Sequence, residues 1–576
     1  MKLVEALNIL RQIPPDGADS FNVALVCGCT PLHLQTFLAA HLRILFPGSR
    51  VVVQTGLYGD TLGSLEQLPK TQLDGAAVIL EWSDFDPRLG IRRLGGWGPN
   101  DLTDILSTIK ARLVHFEKAV QLAAQHVRLA LCLPTLPLSP VSYLPTWQSG
   151  GFDWQLREYL ARFATSASQS ASVKLVNPQL IDQCSSAGDR LDVQSELMSG
   201  FPYRLAHAST IAQLLARLLR PPTPKKGLIT DLDDTLWRGI LGEVGREGIS
   251  WDLDHGSHMH GLYQQLLRSL AEAGVLIAVA SKNDPDLVGE AFARDDLLLT
   301  KQHVFPMAIH WRPKPESVGD ILRAWNIGAD SVVFVDDSPT ELAEVKATHG
   351  DVECLLFPAG DDRAVYRLLE QLRDRFGKEQ VSEEDGLRLE SLRQASAFFQ
   401  SVGEQSAGRE DFLARSDAEL TISFVKEPPD PRAFDLVNKT NQFNLNGKRY
   451  TESSWRSYLN PPGVFLAVVA YKDKYGPLGK IAVLGGCRQA TSLLVDTWVM
   501  SCRAFARRIE HHCLELLFER FRAEEILFDW QITPRNRPFC EFLAELVDSP
   551  PGPTFRLSRV AFIQKRPRLF HRITSL

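Results

Sequence analysis

One stretch limits this chain more than any other: Gly227-Leu228-Ile229-Thr230-Asp231-Leu232-Asp233-Asp234-Thr235-Leu236-Trp237. A short apolar strand runs directly into three carboxylates within four positions. Acids packed this closely repel one another and lose hydration if buried, and a hard cation with oxygen ligands relieves both problems. The pattern predicts a Mg²⁺-dependent phosphoryl site at a strand end; the plain alternative is a solvated acidic turn.

Two further segments favour the first reading. Val275-Leu276-Ile277-Ala278-Val279-Ala280-Ser281-Lys282 is an apolar run ending at a hydroxyl, and Ser331-Val332-Val333-Phe334-Val335-Asp336-Asp337 is another ending at two carboxylates. Uninterrupted β-branched runs predict strands buried on both faces, hence a parallel sheet covered by helices. Such strands share one carboxyl edge, where open α/β sheets bind ligands. Asp231, Asp233, Ser281, Asp336 and Asp337 should therefore meet, with Lys314 added from a loop before a helix.

The order Asp-x-Asp-x-Thr, Ser, Lys, Asp-Asp resembles the haloacid dehalogenase (HAD) superfamily. The resemblance implies that Asp231 attacks phosphorus and Asp233 protonates the leaving oxygen. Ser281, Lys314 and Thr235 then hold the phosphoryl group, and Mg²⁺ rests on Asp231, the Asp233 carbonyl and Asp336 or Asp337. The chemistry is sound in itself: a carboxylate nucleophile divides one hard displacement into two, and a second carboxyl serves as acid and then base. The insert from Arg238 to His260 is too short for a large lid, so a minimal cap is expected. Its His255, His258 and His260 read as a solvated turn rather than as metal ligands.

At 576 residues the chain should hold several domains. Net charge of -6 gives no reason to expect nucleic acid, and no apolar run reaches membrane-spanning length. The N-terminus, with Glu5 early and Pro14 and Pro15 soon after, is not patterned as a secretory signal. The nine cysteines lack paired-ligand spacing, which points to a reducing cytoplasm. Arg220 to Lys226 is proline- and lysine-rich and reads as a linker, and a polar stretch from Gly377 to Gly386 reads as a second boundary. The expected domains are 1–222, 223–377 and 378–576.

In the first block, strands near 22–30, 50–54, 76–81 and 127–133 alternate with helices and predict a further α/β sheet. The block resembles an SGNH-hydrolase-like domain. Cys27, Gly28 and Cys29 stand where that family carries its serine, which leaves a docking role or a cysteine nucleophile of lowered pKa. The last block alternates differently: a hairpin about Lys474 to Pro477, a strand 493–500, a long helix 504–520, a strand 525–530 and a helix 537–546. This order resembles the GNAT acyltransferase fold, an α+β arrangement.

An Asp-Leu-Asp-Asp-Thr-Leu-Trp motif joined to such a block resembles the FkbH-like proteins of polyketide pathways. Val437-Asn438-Lys439-Thr440-Asn441-Gln442-Phe443-Asn444-Leu445, Trp498-Val499-Met500-Ser501-Cys502-Arg503 and Thr533-Pro534-Arg535-Asn536 carry the likeness. It implies a glyceryltransferase/phosphatase that takes a three-carbon unit from 1,3-bisphosphoglycerate and loads it onto the phosphopantetheine arm of an acyl carrier protein. Cys502 would carry the acyl group, its thiolate favoured by Arg503 and by a helix starting behind it. Asn438, Lys439, Asn441 and Gln442 would position the cargo. The family pattern has Asn at Asp234 and Gly at Arg238, so the first should add charge beside the metal and the second a cation at the mouth. Side chains at Ala506 and Arg508, where the family runs through glycines, oppose ordinary coenzyme A binding. Two other readings stay open: a stand-alone Mg²⁺-dependent phosphatase, and a silent carrier-binding scaffold.

Overall fold

The computed structural model describes residues 1–576 except 13–19, 95–97, 99, 141–143, 380, 382–388, 391, 394–413, 415, 441, 475, 490–491, 502–503, 505–506, 534–535, 547–554 and 576. The chain is a multidomain α/β protein, and its described residues form two parallel sheets and one mixed sheet. It divides into two compact units: 1–222 with 451–453, and 223–450 with 454–576. No helix among the described residues is long and apolar enough to cross a membrane.

The first unit is built on β1 (Ser20–Cys27), β2 (Arg50–Thr55), β3 (Gly75–Ile79), β4 (Leu129–Cys132) and β5 (Val173–Leu175). They pair in parallel in the order β2-β1-β3-β4-β5. Alternation along β1 serves both faces. Val23, Leu25 and Cys27 pack with Phe37, Ile211 and Leu215 from the helices Leu32–Leu45 and Leu205–Leu219. Ala24 and Val26 pack on the other side with Leu65, Ile109 and Phe116. Both faces are thus dry, and helices cross over between successive strands, as parallel pairing requires.

The second unit repeats this scheme with β6 (Gly227–Thr230), β7 (Leu276–Ser281), β8 (Val304–Ile309), β9 (Val332–Asp336) and β10 (Glu353–Leu356), in the order β10-β9-β6-β7-β8. Leu228, Ile277 and Val335 face one core with Tyr263, Leu267 and Leu372. Ile229, Ala278 and Phe334 face another with Ile321 and Trp325. Gly227 is needed for that close approach, since a Cβ there would stand 2.4 Å from the Trp325 ring. Between Trp237 and the helix His258–Glu272 lies only the short helix Leu241–Gly248, broken at Gly245 (φ 69°). His260 is not in a solvated turn: it is buried on the longer helix, with Nδ1 3.0 Å from the Thr235 carbonyl.

The remaining strands are β11 (Glu419–Ser423), β12 (Phe443–Asn444), β13 (Val464–Asp473), β14 (Gly476–Gln489), β15 (Ser492–Met500), β16 (Glu525–Phe528), β17 (Phe555–Ser558) and β18 (Arg572–Ser575). They form one mixed sheet in the order β17-β16-β15-β14-β13-β11-β18, with β12 beside β15. β15 and β16 are parallel and pair only from Ser492 to Val495, after which Met500 pairs instead with Phe443. The helix expected from 504 begins at Ile509, behind an Arg508 in the left-handed conformation (φ 61°).

Candidate functional site

Strand geometry brings the acids together. β6 and β9 are adjacent and in register from Gly227–Val332 to Thr230–Val335, so the residues that follow leave the sheet side by side. The Asp231 amide donates to the Val335 carbonyl at 3.0 Å, which extends the ladder one step. Asp231 and Asp336 are buried, and Asp337 is half-buried. One carboxylate or ligand atom from each of Asp231, Asp336 and Asp337 lies within 4.8 Å of the others. This edge is also where the chain switches direction across the sheet, β7 lying to one side of β6 and β9 to the other.

Lys314 closes the site from the start of the helix Lys314–Trp325. Its buried ammonium donates to Asp336 Oδ2 at 2.5 Å and stands 3.0 Å from Asp231 Oδ2. Burial alone would lower its pKa, but the Asp231 and Asp336 charges outweigh that and hold it above the ordinary lysine value. Burial raises the Asp231 carboxyl, although Lys314, the Leu232 amide and the Ser281 hydroxyl pull it down. Asp336 is raised by burial and by Asp231, and Asp337 by burial and by Asp336. One cation among three acids leaves net negative charge in a poorly hydrated place. Asp231 Oδ1 is buried and has no hydrogen-bond partner among the described residues. An orphaned, anionic oxygen set of this kind fits a hard divalent cation.

Asp233 is placed differently. Its Oδ1 accepts from Trp237 Nε1 at 2.9 Å and from the Leu241 amide at 3.1 Å, and its Oδ2 accepts from Asn283 Nδ2 at 2.9 Å. The carboxylate is therefore outside the three-acid cluster, and burial holds its pKa above the ordinary value. A carboxyl raised in this way is suited to hold a proton and release it. Thr235 is buried and donates to Asp337 Oδ1 at 3.3 Å. Sequence patterning missed Asn283 and Trp237. Asn283 lies two residues past Ser281 at the same sheet edge, a position the strand-end rule could have flagged.

The two positions expected to depart from the FkbH-like pattern, Asp234 and Arg238, tie down the loop. Asp234 adopts φ 49°, and its Oδ1 accepts from the Gly239 amide at 2.8 Å, a local bond that suits Asp to the left-handed region. Its charge still acts on Asp337, raising it. Arg238 donates to the His255 carbonyl at 3.0 Å and the Gly256 carbonyl at 3.4 Å, so it braces the short cap rather than standing free.

The C-terminal positions divide less evenly. Cys502, Arg503 and Asn441 lie outside the described residues. The helix that should have stood directly behind Cys502 starts at Ile509, and a helix dipole acts within about one turn, so that support for a thiolate is withdrawn. Asn438 Oδ1 accepts from the Tyr450 amide at 2.9 Å, and Lys439 pairs with Asp435 at 3.0 Å. Gln442 is half-buried, one residue before β12. A cavity of about 400 Å³ lies at the end of β15, lined by Phe443, Met500, Arg508, His511, Glu541 and Phe542 among others. In the first unit, the neighbouring Cys27 and then burial push the Cys29 thiol well above the ordinary range, the opposite of what a cysteine nucleophile needs.

No protein-family model matches the chain, and no curated protein matches it. Among solved structures, the chain is similar to the N-terminal part of protein BF1531 from Bacteroides fragilis, which contains a phosphatase domain and is complexed with Mg. The TM-score is 0.52 at 19% identity, over 66% of this chain and 100% of that one. A putative UDP-N-acetylglucosamine 2-epimerase from Listeria monocytogenes aligns over 67% of this chain and 98% of its own at 12% identity, with a TM-score of 0.16. The first likeness establishes a shared fold.

Proposed function

We propose that the second unit contains a Mg²⁺-dependent phosphoryl-cleaving site of the HAD kind. The observation that carries this reading is the buried, unpartnered Asp231 Oδ1 within one cluster with Asp336 and Asp337. The phosphatase domain with Mg in the BF1531 structure supports it by fold. Asp231, Asp336 and Asp337 would hold the cation, with the Asp233 main-chain carbonyl as a further ligand. When bound, it neutralises charge on the transferring group. Asp231 attacks phosphorus, and the leaving oxygen takes its proton from Asp233. Asp233 then accepts a proton from the water that releases phosphate. Lys314 neutralises the buried acids and, with Ser281 and Thr235, orients the phosphoryl oxygens. The short insert after Trp237 leaves room for a substrate larger than a free metabolite.

At the finer level, the reading is a glyceryltransferase/phosphatase of FkbH-like type. It would accept a small phosphorylated three-carbon acyl donor such as 1,3-bisphosphoglycerate, and deliver the acyl group as a thioester to an acyl carrier protein. The cavity beside Met500 supports this, because Met500 is two residues before Cys502 and the space lies in the range of small-molecule sites. Asn438 favours the second reading, a stand-alone phosphatase. Its side-chain oxygen is committed to the Tyr450 amide rather than to a cargo. Intact-protein mass spectrometry after incubation with the acyl phosphate, Mg²⁺ and a holo carrier protein tests the two. A glyceryl mass on the carrier that is lost in Cys502→Ala supports acyl loading. Phosphate release with no mass gain on either protein leaves the stand-alone phosphatase.

A further inference from the structure

The first unit carries a chain of side chains that the phosphoryl site does not use. Glu81, buried just beyond β3, accepts from Thr135 Oγ1 at 2.8 Å, from the Thr135 and Leu136 amides at 3.2 Å, and from the Tyr203 hydroxyl at 3.1 Å. Thr135 Oγ1 also lies 2.9 Å from His207 Nε2, and His207 Nδ1 lies 2.9 Å from Ser185 Oγ. With Glu81 ionised, as it is above about pH 7, counting protons sets the direction of every link. The single hydroxyl proton of Thr135 goes to the Glu81 carboxylate, so His207 must donate from Nε2. Its Nδ1 is then bare, and Ser185 donates to it.

Read from outside inward, a half-buried serine aims its proton at an unprotonated imidazole nitrogen. The other ring nitrogen is anchored, through a threonine hydroxyl, to a buried acid. Arg190 fixes the spacing: its Nε and one terminal nitrogen donate to the Ser185 carbonyl at 3.0 and 2.7 Å, and the other donates to the Thr135 carbonyl at 3.0 Å. A network serving only to tie elements together needs no reactive hydroxyl at its wet end. Ser185 and His207 are not the Cys27 to Cys29 turn where the SGNH-like pattern places its nucleophile, although the inner end of the network, Glu81 and Tyr203, faces Cys29.

We propose that Ser185 is a nucleophile and His207 its general base, at a second catalytic site that takes an acyl group from small esters or thioesters. Glu81 and Thr135 are positioning residues. Ser185 Oγ attacks the carbonyl carbon while its proton passes to His207 Nδ1. The donor's C–O or C–S bond breaks, and the leaving oxygen or sulfur takes that proton. Water then attacks the serine ester, its proton passing through Nδ1 back to Oγ, and the carboxylic acid leaves with no change of oxidation state. An acyl carbon fits better than phosphorus. A phosphoryl group calls for free cations, and Arg190 is committed to carbonyls and to Asp182.

The test uses the full chain, with EDTA present to silence the metal site. A fluorophosphonate probe should label the protein, and peptide mass spectrometry should place the label on Ser185. Short-chain p-nitrophenyl ester hydrolysis should fall at least 100-fold in Ser185→Ala, with the variant still folded by circular dichroism. His207→Gln, if folded by circular dichroism, should lose both signals. The titratable groups facing Glu81 are Tyr203, Cys29 and Cys132, with Asp84 accepting from its amide at 2.8 Å. Glu81 sits near pH 7, so the ester rate should rise with pH through neutrality, and that limb should vanish in Glu81→Gln. Absence of label on the folded chain, or label and turnover that survive Ser185→Ala, overturns the proposal. A neutral limb that persists in Glu81→Gln overturns the relay.

Discussion

The two five-stranded parallel sheets place a buried acid at the same kind of location, the carboxyl edge beside the strand where the winding reverses. Glu81 and Asp231 nevertheless meet opposite surroundings. Glu81 is surrounded by donors, two hydroxyls and two amides, with no other carboxylate bonded to it. Asp231 has two further acids within ligand distance, one lysine, and an oxygen with no partner. The first site is closed by hydrogen bonds. The second is left incomplete by the chain itself, and incompleteness at an anionic edge is what invites a cation. Topology therefore locates a site, while the donors around the acid decide its chemistry.

The sharpest way to break this contrast is to remove the acid thought to react. Asp231→Asn should cut Mg²⁺-dependent phosphate release from p-nitrophenyl phosphate by about 1,000-fold or more, as loss of a nucleophile does. Release that survives, or that ignores EDTA, would return the edge to a solvated acidic turn.

Lys314→Met asks what holds the acids together without metal. The buried like charges of Asp231 and Asp336 lose their partner, and breaking such a pair costs about 3–5 kcal/mol. Denaturant unfolding in EDTA at pH 8 should show the loss. Mg²⁺ should restore part of it, and so should lower pH, because protonation removes the repulsion.

Glu81→Gln should act in the opposite sense. The Glu81 carboxyl is raised from 4.5 to about 7, chiefly by burial. Between these values the folded state binds more protons than the unfolded state, so wild-type stability falls as pH rises, by about 3 kcal/mol across the window. The stabilisation is present below pH 4.5 and gone above pH 7. The variant lacks that slope, so its first-unit melting transition should overtake the wild type as pH is raised. A constant offset at all pH values would mean that Glu81 is held ionised by its donors.

How far the sequence anticipated these edges follows from how each is built. Asp231, Ser281, Asp336 and Asp337 each end an uninterrupted apolar run, and parallel pairing makes run ends converge. Lys314 was legible because it opens a helix after a loop. The Glu81 relay was not, since Glu81, Thr135, Ser185, Tyr203 and His207 sit on separate elements with no shared spacing. His260 read as part of a wet turn because Gly256 and Ser257 precede it, yet the helix starts at His258 and turns it inward. The late start at Ile509 was hidden for a related reason: Ala504 to Arg508 have ordinary helix propensity, but Arg508 takes a left-handed conformation that ends any continuous helix.

The smallest effect comes from tuning the proton donor. Trp237 Nε1 donates to Asp233 Oδ1 and stabilises its charged form, opposing the upward push of burial. Trp237→Phe keeps a ring in the core and deletes that bond. The Asp233 carboxyl should then titrate higher, so that its acid form persists to higher pH. In the aspartyl-phosphate step this form is the donor, whereas in hydrolysis the base form is required. If hydrolysis limits the rate, the acid limb of kcat should move up by about half a unit to one unit, the worth of about 1 kcal/mol of hydrogen bonding. Movement of the alkaline limb instead would identify phosphoryl transfer to Asp231 as the slow step. A profile that does not move would detach Asp233 from the proton and leave the indole bond a matter of loop geometry.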